Sequence, residues 1–315
     1  MKPRVAVIGA GVSGLTCAVL LAENGFETSI LADEIGDQTN SAAAAAIWYP
    51  YDVVGGGDQI IPWALTSYRR FLDLARDPQT GVSITELRVF SRLAPIAPPV
   101  WAQSFPTRPI PDSEIPTAFI SGFSIHVPLI ETGKYLAYLA SRLTTAGGSL
   151  TGGITFTRLE EVDPVFDLIV NCAGIGAREL VPDPEMKPHR GQVAIVRKFD
   201  LSYAVVCDDP PLMYAIPRSN DCVFGGTNEV SNDRAPDPRT TAQIIRECER
   251  VLGRAAPSLI RERVGLRPAR SGGVLVAAEK LCDGRRVVHN YGHGGSGFTL
   301  SWGCAQAVLE LADAI

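Results

Sequence analysis

No run of about 18 uninterrupted apolar residues occurs in the 315-residue chain, so the sequence offers no transmembrane helix. Basic residues never cluster beyond the pairs Arg69-Arg70 and Arg285-Arg286, and the formal net charge is −5. Nucleic acids and anionic membranes are held by clustered Lys and Arg, so neither is an expected partner. The seven cysteines (Cys17, Cys172, Cys207, Cys222, Cys248, Cys282 and Cys304) include no CxxC pair, and most sit in apolar surroundings. They read as reduced core thiols of a cytoplasmic protein, not as disulfides or metal ligands. There are four histidines. His289 and His293 are four apart but straddle a strand end and a glycine loop, and no HExxH occurs, so no metal site is expected. Lys2 and Arg4 precede an apolar stretch, as in a signal peptide, but Gly9, Gly11 and Gly14 break it into strand, turn and helix. The last residues carry no peroxisomal tripeptide, and neither internal repeats nor low-complexity tracts are evident.

What is present is a globular composition, 46% hydrophobic and 20% charged, in a chain long enough for two domains. Arg4 to Ile8 reads as a strand. Ser13 to Asn24 reads as a helix with Leu15, Ala18, Val19 and Ala22 on one face, and Phe26 to Ala32 as a second strand. Residues 40–46 read as a helix start, capped by Asn40 or Ser41 and ended by Pro50, before a flexible Gly55-Gly56-Gly57 loop. Ile61 to Ala75 and Thr132 to Ala146 read as helices, the second with Tyr135, Leu136, Leu139 and Leu143 in phase. Residues 84–131 read as strands turned at prolines. Phe166 to Cys172 reads as a buried strand, Arg190 to Asn228 alternates like antiparallel sheet, Thr241 to Leu252 reads as a helix, and Val287 to Asn290 as a short strand. A glycine-dense loop and a helix from Leu300 to Ala314 follow. The α/β pieces at the beginning, middle and end are separated by sheet-like pieces, which predicts two interleaved domains.

The segment Gly9-Ala10-Gly11-Val12-Ser13-Gly14 follows a strand and opens a helix. Its first glycine permits the tight turn, the second lets backbone approach a pyrophosphate, and the third lets helix and sheet pack closely. The helix N-terminus offers N–H groups and a positive dipole end to phosphates. Asp33, 19 residues beyond Gly14 at the end of the second strand, is placed to accept both ribose hydroxyls and disfavours a 2′-phosphate, so NADP is not expected. These residues predict a dinucleotide and leave FAD and NAD open.

Residues 289–299, His289-Asn290-Tyr291-Gly292-His293-Gly294-Gly295-Ser296-Gly297-Phe298-Thr299, hold four glycines between positions 292 and 297. That density suits close backbone approach to a ligand, and a helix starting near Thr299 could stabilise negative charge on a reduced flavin ring. The wider segment 287–305, VVHNYGHGGSGFTLSWGCA, resembles the signature of the D-amino acid oxidase family, which includes D-aspartate oxidases. Further similar segments run in order along the chain: GAGVSG at 9–14, AIWYPY at 46–51, VNCAG at 170–174, RGQ at 190–192, YAIP at 214–217 and GLRPAR at 265–270.

The resemblance implies a Rossmann-like FAD-binding domain (1–48, 132–185 and 265–315) interleaved with an α+β substrate-binding domain (49–131 and 186–264) on a mainly antiparallel sheet. It implies FAD bound non-covalently by Gly9, Ala10, Gly11, Ser13 and Gly14 at the turn, with Asp33 and Glu34 at the ribose. Asn40 and Ser41 would lie near the pyrophosphate, Ala45, Ala46 and Ile47 beside the flavin, Ala173 near the adenine, and Gly294, Gly295, Ser296, Gly297, Phe298 and Thr299 around the pyrimidine edge. Arg267 is similar to the family's carboxylate-binding arginine, a role suited to a planar guanidinium, with Arg270 the structural arginine of the pair. Tyr214 is similar to the tyrosine that supports the same carboxylate. The Gly295 carbonyl would accept from the amine, and Tyr49 stands where mammalian members carry glutamine.

The implied reaction is oxidative deamination of D-amino acids, neutral or apolar in side chain, by hydride transfer to flavin N5, with O2 as acceptor, giving 2-oxo acids, ammonia and hydrogen peroxide. A homodimer is compatible with the sequence, which does not fix the oligomeric state. The segment 207–213 is short, with Pro210 about where the mammalian pocket carries its lid tyrosine, which implies an open entrance. Glu34 replaces a basic residue, leaving the adenine-side contacts open. The alternatives are a D-aspartate oxidase, with Arg218 as second cation on the face of Tyr214, a glycine or secondary-amine oxidase, a flavin-binding protein without turnover, or an NAD-dependent enzyme.

Overall fold

A computed structural model of the chain describes residues 3–51 and 57–314; Gly55 and Gly56 of the expected glycine loop lie outside them. In chain order the strands and helices are β1 (Arg4–Ile8), α1 (Val12–Glu23), β2 (Glu27–Leu31), α2 (Ile60–Leu74), β3 (Val82–Ser91), β4 (Thr107–Pro109), β5 (Ser121–Ile130), α3 (Thr132–Thr145), β6 (Ser149–Thr151), β7 (Leu168–Asn171) and α4 (Ala177–Leu180). They continue as β8 (Met186–Arg197), β9 (Tyr203–Cys207), β10 (Met213–Pro217), β11 (Asp221–Gly225), β12 (Glu229–Val230), α5 (Pro238–Leu252), β13 (Leu259–Arg270), β14 (Leu275–Lys280), β15 (Arg286–Tyr291) and α6 (Gly297–Asp313).

The chain divides into two units, residues 1–82, 130–189 and 266–315, and residues 83–129 and 190–265. The first is built on a sheet ordered β14-β15-β7-β1-β2-β6. Its pairs are parallel except β14 with β15. Val5, Ala6 and Val7 of β1 are fully buried, as expected of a central parallel strand covered on both faces. α3 buries Tyr135, Leu136, Leu139 and Leu143, the residues its period put on one face. α6 is buried around most of its circumference, through Leu300, Trp302, Cys304, Ala305 and Val308. It packs against both α1 and α2. Gly303 makes the second packing close: a Cβ there would lie 2.3 Å from the Trp63 backbone. The Ser67 hydroxyl accepts from the Trp302 and Gly303 N–H groups, both at 3.1 Å.

The second unit carries a sheet ordered β12-β8-β11-β10-β9-β3-β5-β4, with β13 on β8. The pairs β8–β11, β10–β11, β9–β10 and β4–β5 are antiparallel, and β3–β9 is parallel. Phe224, Ala194, Val196, Val205 and Met213 form its core with Ile244 and Cys248 of α5. α5 starts at Pro238 because Asp237 caps it, accepting from the Arg239 and Thr240 N–H groups, and it stops at Gly253 in the left-handed region.

Several expectations change. Residues 49–82, expected with the second domain, fall in the first unit because α2 seats on α6. The helix expected at 40–46 is only a 3₁₀ turn over Asn40–Ala43, and its cap is Thr39, whose hydroxyl accepts from the Ala42 N–H. α6 begins at Gly297, one turn ahead of Leu300. No helix among the described residues is long and apolar enough to cross a membrane, and those residues contain no metal-binding group of His, Cys, Asp and Glu.

Candidate functional site

The turn between β1 and α1 is drawn tight by its glycines. Gly9 has φ +103°, and a Cβ there would meet the Cys172 carbonyl oxygen at 2.5 Å. A Cβ on Gly14 would sit 1.9 Å from the Gly9 carbonyl oxygen, so α1 can approach the strand end this closely only through glycine. At Gly11 a Cβ would come to 3.0 Å from Ser41 Oγ, and that hydroxyl accepts from the Val12 N–H at 2.9 Å. Gly11 is the N-cap of α1 and supplies no side-chain cap. The outcome is a glycine-lined cradle at a helix N-terminus, its first N–H held by Ser41, with Ala10 buried and Ser13 half-buried beside it. Asp33 is exposed just past the end of β2, with Glu34 half-buried next to it. Ala173 is half-buried, and its N–H donates to Asn171 Oδ1 at 3.2 Å. Gly9 to Gly14, Asp33 and Ala173 thus fit an FAD adenosine and pyrophosphate.

The segment from Asn40 to Tyr51 runs through Ala45, Ala46 and Ile47. Ala46 adopts φ +49°, a left-handed conformation that costs an L-residue about 1 kcal/mol. Neighbouring bonds hold it there: its carbonyl accepts from the Ile130 N–H at 2.9 Å, and fully buried Trp48 donates to the Ala64 carbonyl at 3.1 Å. Thr299 Oγ1 accepts from the Tyr49 N–H at 3.2 Å and donates to the Tyr49 carbonyl at 3.0 Å. Ser296 Oγ donates to the Tyr51 carbonyl at 2.6 Å. The hydroxyls of Ser296 and Thr299 therefore staple residues 49–51 to the start of α6. Ser296 is the N-cap of α6, but its side chain makes no capping bond to the first-turn N–H groups at Gly297, Phe298 and Thr299. Those groups, with the positive end of the helix, suit the electron-rich edge of a flavin.

Arg267 and Gly295, far apart in sequence, meet the same ring. The Arg267 guanidinium lies 5.8 Å from the ring centroid of Tyr51. Gly295 is exposed, and a Cβ on it would come 2.6 Å from Tyr51 Cδ1. Gly294, at φ +54°, donates its N–H to the Pro268 carbonyl at 2.9 Å. Tyr51 was not among the expected site residues; its only sequence signal is its place at the end of the 46–51 segment. Arg270, three residues on from Arg267, is held by Asp183 (Nε to Oδ2, 2.8 Å) and by Glu185. Burial alone would raise the Asp183 carboxyl, but the Arg270 guanidinium, the Glu185 N–H and the Tyr291 hydroxyl together hold it below the ordinary carboxylate value.

Tyr214 belongs to the second unit. Its ring lies on the Gly225-Gly226 backbone, where a Cβ on Gly226 would meet the hydroxyl at 2.8 Å. Arg218, weighed as a second cation, is bound side-on by Asp221 at 2.6 and 3.0 Å. The short turn at 208–212 is pinned: Asp209 accepts from the Ser91 hydroxyl and the Arg92 N–H, both at 2.7 Å.

His293 is buried, and burial pushes its pKa down to about 4, so it stays neutral. Its Nε2 lies 3.0 Å from Asn290 Oδ1, and Asn290 Nδ2 donates to Cys17 Sγ at 3.1 Å. All seven cysteines are free, six of them buried. Burial drives the Cys248 and Cys304 thiols well above their usual range, leaving them inert.

The mainly parallel sheet and its glycine-tight turn into α1 are the frame of a dinucleotide-binding protein. The family described as FAD dependent oxidoreductase, DAO, matches residues 4–311. A D-amino-acid oxidase of Rubrobacter xylanophilus is 41% identical over 317 residues, covering 99% of this chain and 96% of the relative. A D-amino-acid oxidase of Streptomyces coelicolor is 37% identical, covering 98% and 97%. Among solved structures, glycine oxidase from Geobacillus kaustophilus superposes with a TM-score of 0.82 at 18% identity, covering 99% of this chain and 95% of that one. The chain belongs to the DAO family of FAD-dependent oxidoreductases, and FAD is its cofactor.

Proposed function

We propose that this protein oxidises D-amino acids with neutral or apolar side chains, consuming O2 and water and releasing the 2-oxo acid, ammonia and hydrogen peroxide. Bound FAD supplies the two-electron acceptor that side chains lack. The first unit, which carries the glycine cradle, Arg267 and Gly295, would hold FAD. Gly9, Ala10, Gly11, Ser13, Gly14 and Ser41 would hold the pyrophosphate, Asp33 and Glu34 the ribose, and Ala173 the adenine side. Ala45 to Ile47, Gly294 and the Gly297 to Thr299 backbone would line the flavin.

Arg267 would bind the substrate carboxylate through two parallel charge-assisted bonds. The Gly295 carbonyl would accept from the amine, and Tyr49 would flank the side chain. Held at both ends, the α-carbon has one orientation, and orientation with exclusion of water is the chain's own contribution. The observation that carries this reading is the shared Tyr51 ring, which has the cation of Arg267 and exposed Gly295 in its neighbourhood. A preference for neutral side chains is supported by the engagement of Arg218 with Asp221, which removes the candidate second cation. The D configuration rests on the D-amino-acid oxidases named above. We read the protein as cytoplasmic from its seven unpaired cysteines. A homodimer is tested by light scattering.

The test is product analysis of the FAD-loaded protein with D-alanine, D-phenylalanine, D-aspartate, glycine and L-alanine. Equimolar peroxide and 2-oxo acid from the first two, with much less from the others, is expected. Equal release from L-alanine, or release confined to D-aspartate or glycine, would overturn the reading.

A further inference from the structure

The family resemblance implies Asn40 near the pyrophosphate, and both ends of its carboxamide are engaged by Leu266. Its Nδ2 donates to the Leu266 carbonyl at 3.0 Å, and its Oδ1 accepts from the Leu266 N–H at 3.0 Å, across 226 residues of chain. The Leu266 carbonyl belongs to the peptide that leads into Arg267. On the other side, the Pro268 carbonyl accepts from the Gly294 N–H at 2.9 Å, and Ala269 bridges His293. The backbone is thus fixed on both sides of Arg267, and upstream the fixing group is a side chain.

Asn40 is itself rigidly mounted. It opens the 3₁₀ turn capped by Thr39, and the Ala42 carbonyl of that turn accepts from the Thr132 hydroxyl at 3.2 Å. Its neighbour Ser41 holds the first N–H of α1. One short turn therefore grips the dinucleotide cradle with residue 41 and the strand of Arg267 with residue 40. A long side chain amplifies any tilt of its peptide, so a guanidinium that must meet a carboxylate with two parallel bonds needs its backbone fixed.

We propose that Asn40 is a positioning residue for Arg267, setting the direction of its guanidinium without touching substrate. The inference rests on Arg267 being the carboxylate site. The test uses FAD-loaded Asn40→Ala, with isobutyrate and isobutyramide as redox-inert probes read by flavin absorbance. Losing both bonds should raise the isobutyrate Kd about tenfold, leaving the isobutyramide and FAD affinities unchanged. KM for D-alanine should rise more than kcat falls. In an Arg267→Ala background, Asn40→Ala should add no further loss of kcat/KM. Weaker FAD binding, or equal weakening of both probes, would overturn the proposal. Should Asn40→Ala fail to fold, Asn40→Asp keeps the acceptor, loses the donor and is read in the same way. Absence of turnover on D-amino acids would remove only the functional reading, because the probe comparison needs none.

Discussion

Arg267 and Arg270 lie three residues apart on β13, so alternation points them to opposite faces of one strand. Arg270 meets Asp183 and Glu185; Arg267 lies over the Tyr51 ring beside exposed Gly295. The same residue type on the same strand therefore serves two ends. A guanidinium tied to the protein's own carboxylates is part of the fold. One placed against an aromatic face and a ligand-approachable glycine is suited to a carboxylate from outside.

The sharpest way to break this comparison is Arg267→Ala. It should lower kcat/KM for D-alanine roughly 10²–10³-fold with little change in Tm. A large fall in Tm with modest kinetic loss would exchange the roles of the two arginines.

Acid should act first through His293 and only later through the Asp183 partner of Arg270. Neutral, buried His293 has a folded pKa of about 4, below the ordinary 6.5. Its contribution is complete above about pH 6.5 and is lost as pH falls toward 4, because only the unfolded chain takes up the proton. The loss sums to about 3 kcal/mol. Asp183, also held low, adds a further loss only as pH falls below the ordinary carboxylate value. Calorimetric Tm between pH 7 and 3 checks this, and a profile flat from pH 6.5 to 4.5 would contradict it.

Arg270→Ala should come next, at about 2 kcal/mol of stability, since it strands Asp183 beside the Tyr291 hydroxyl. KM for D-alanine should stay within about twofold of the wild type. Smallest is Arg218→Ala, expected to leave the D-aspartate to D-alanine activity ratio within about twofold. A selective fall for D-aspartate would restore Arg218 as a substrate cation.

Local pattern made much of this legible. β1, α1, β2 and Asp33 follow from a period change and three glycines, and α3 from its spacing of Tyr135, Leu136, Leu139 and Leu143. What escaped depends on distant partners or on glycine. The first turn of α6 was hidden because Gly297 reads as loop, although it is helical. The Asp237-Pro238 start of α5 was a readable cap that the apolar period overshadowed. The expected helix at 40–46 gave way to a bend at Ala46 held by Ile130 and to a turn that reaches Leu266. Nothing local to residues 49–82 tells that α2 seats on α6. Tyr51 meets Gly295 and Arg267, and Asn40 meets Leu266, each more than 200 residues away.

Anaerobic mixing of the purified yellow protein with D-alanine or L-alanine, followed by flavin absorbance, tests the account most directly. D-alanine should bleach the visible flavin bands of the wild type and of Arg270→Ala, bleach Arg267→Ala far more slowly, and L-alanine should leave all three coloured. Bleaching by L-alanine, or equal bleaching of the Arg267 and Arg270 variants by D-alanine, would contradict it.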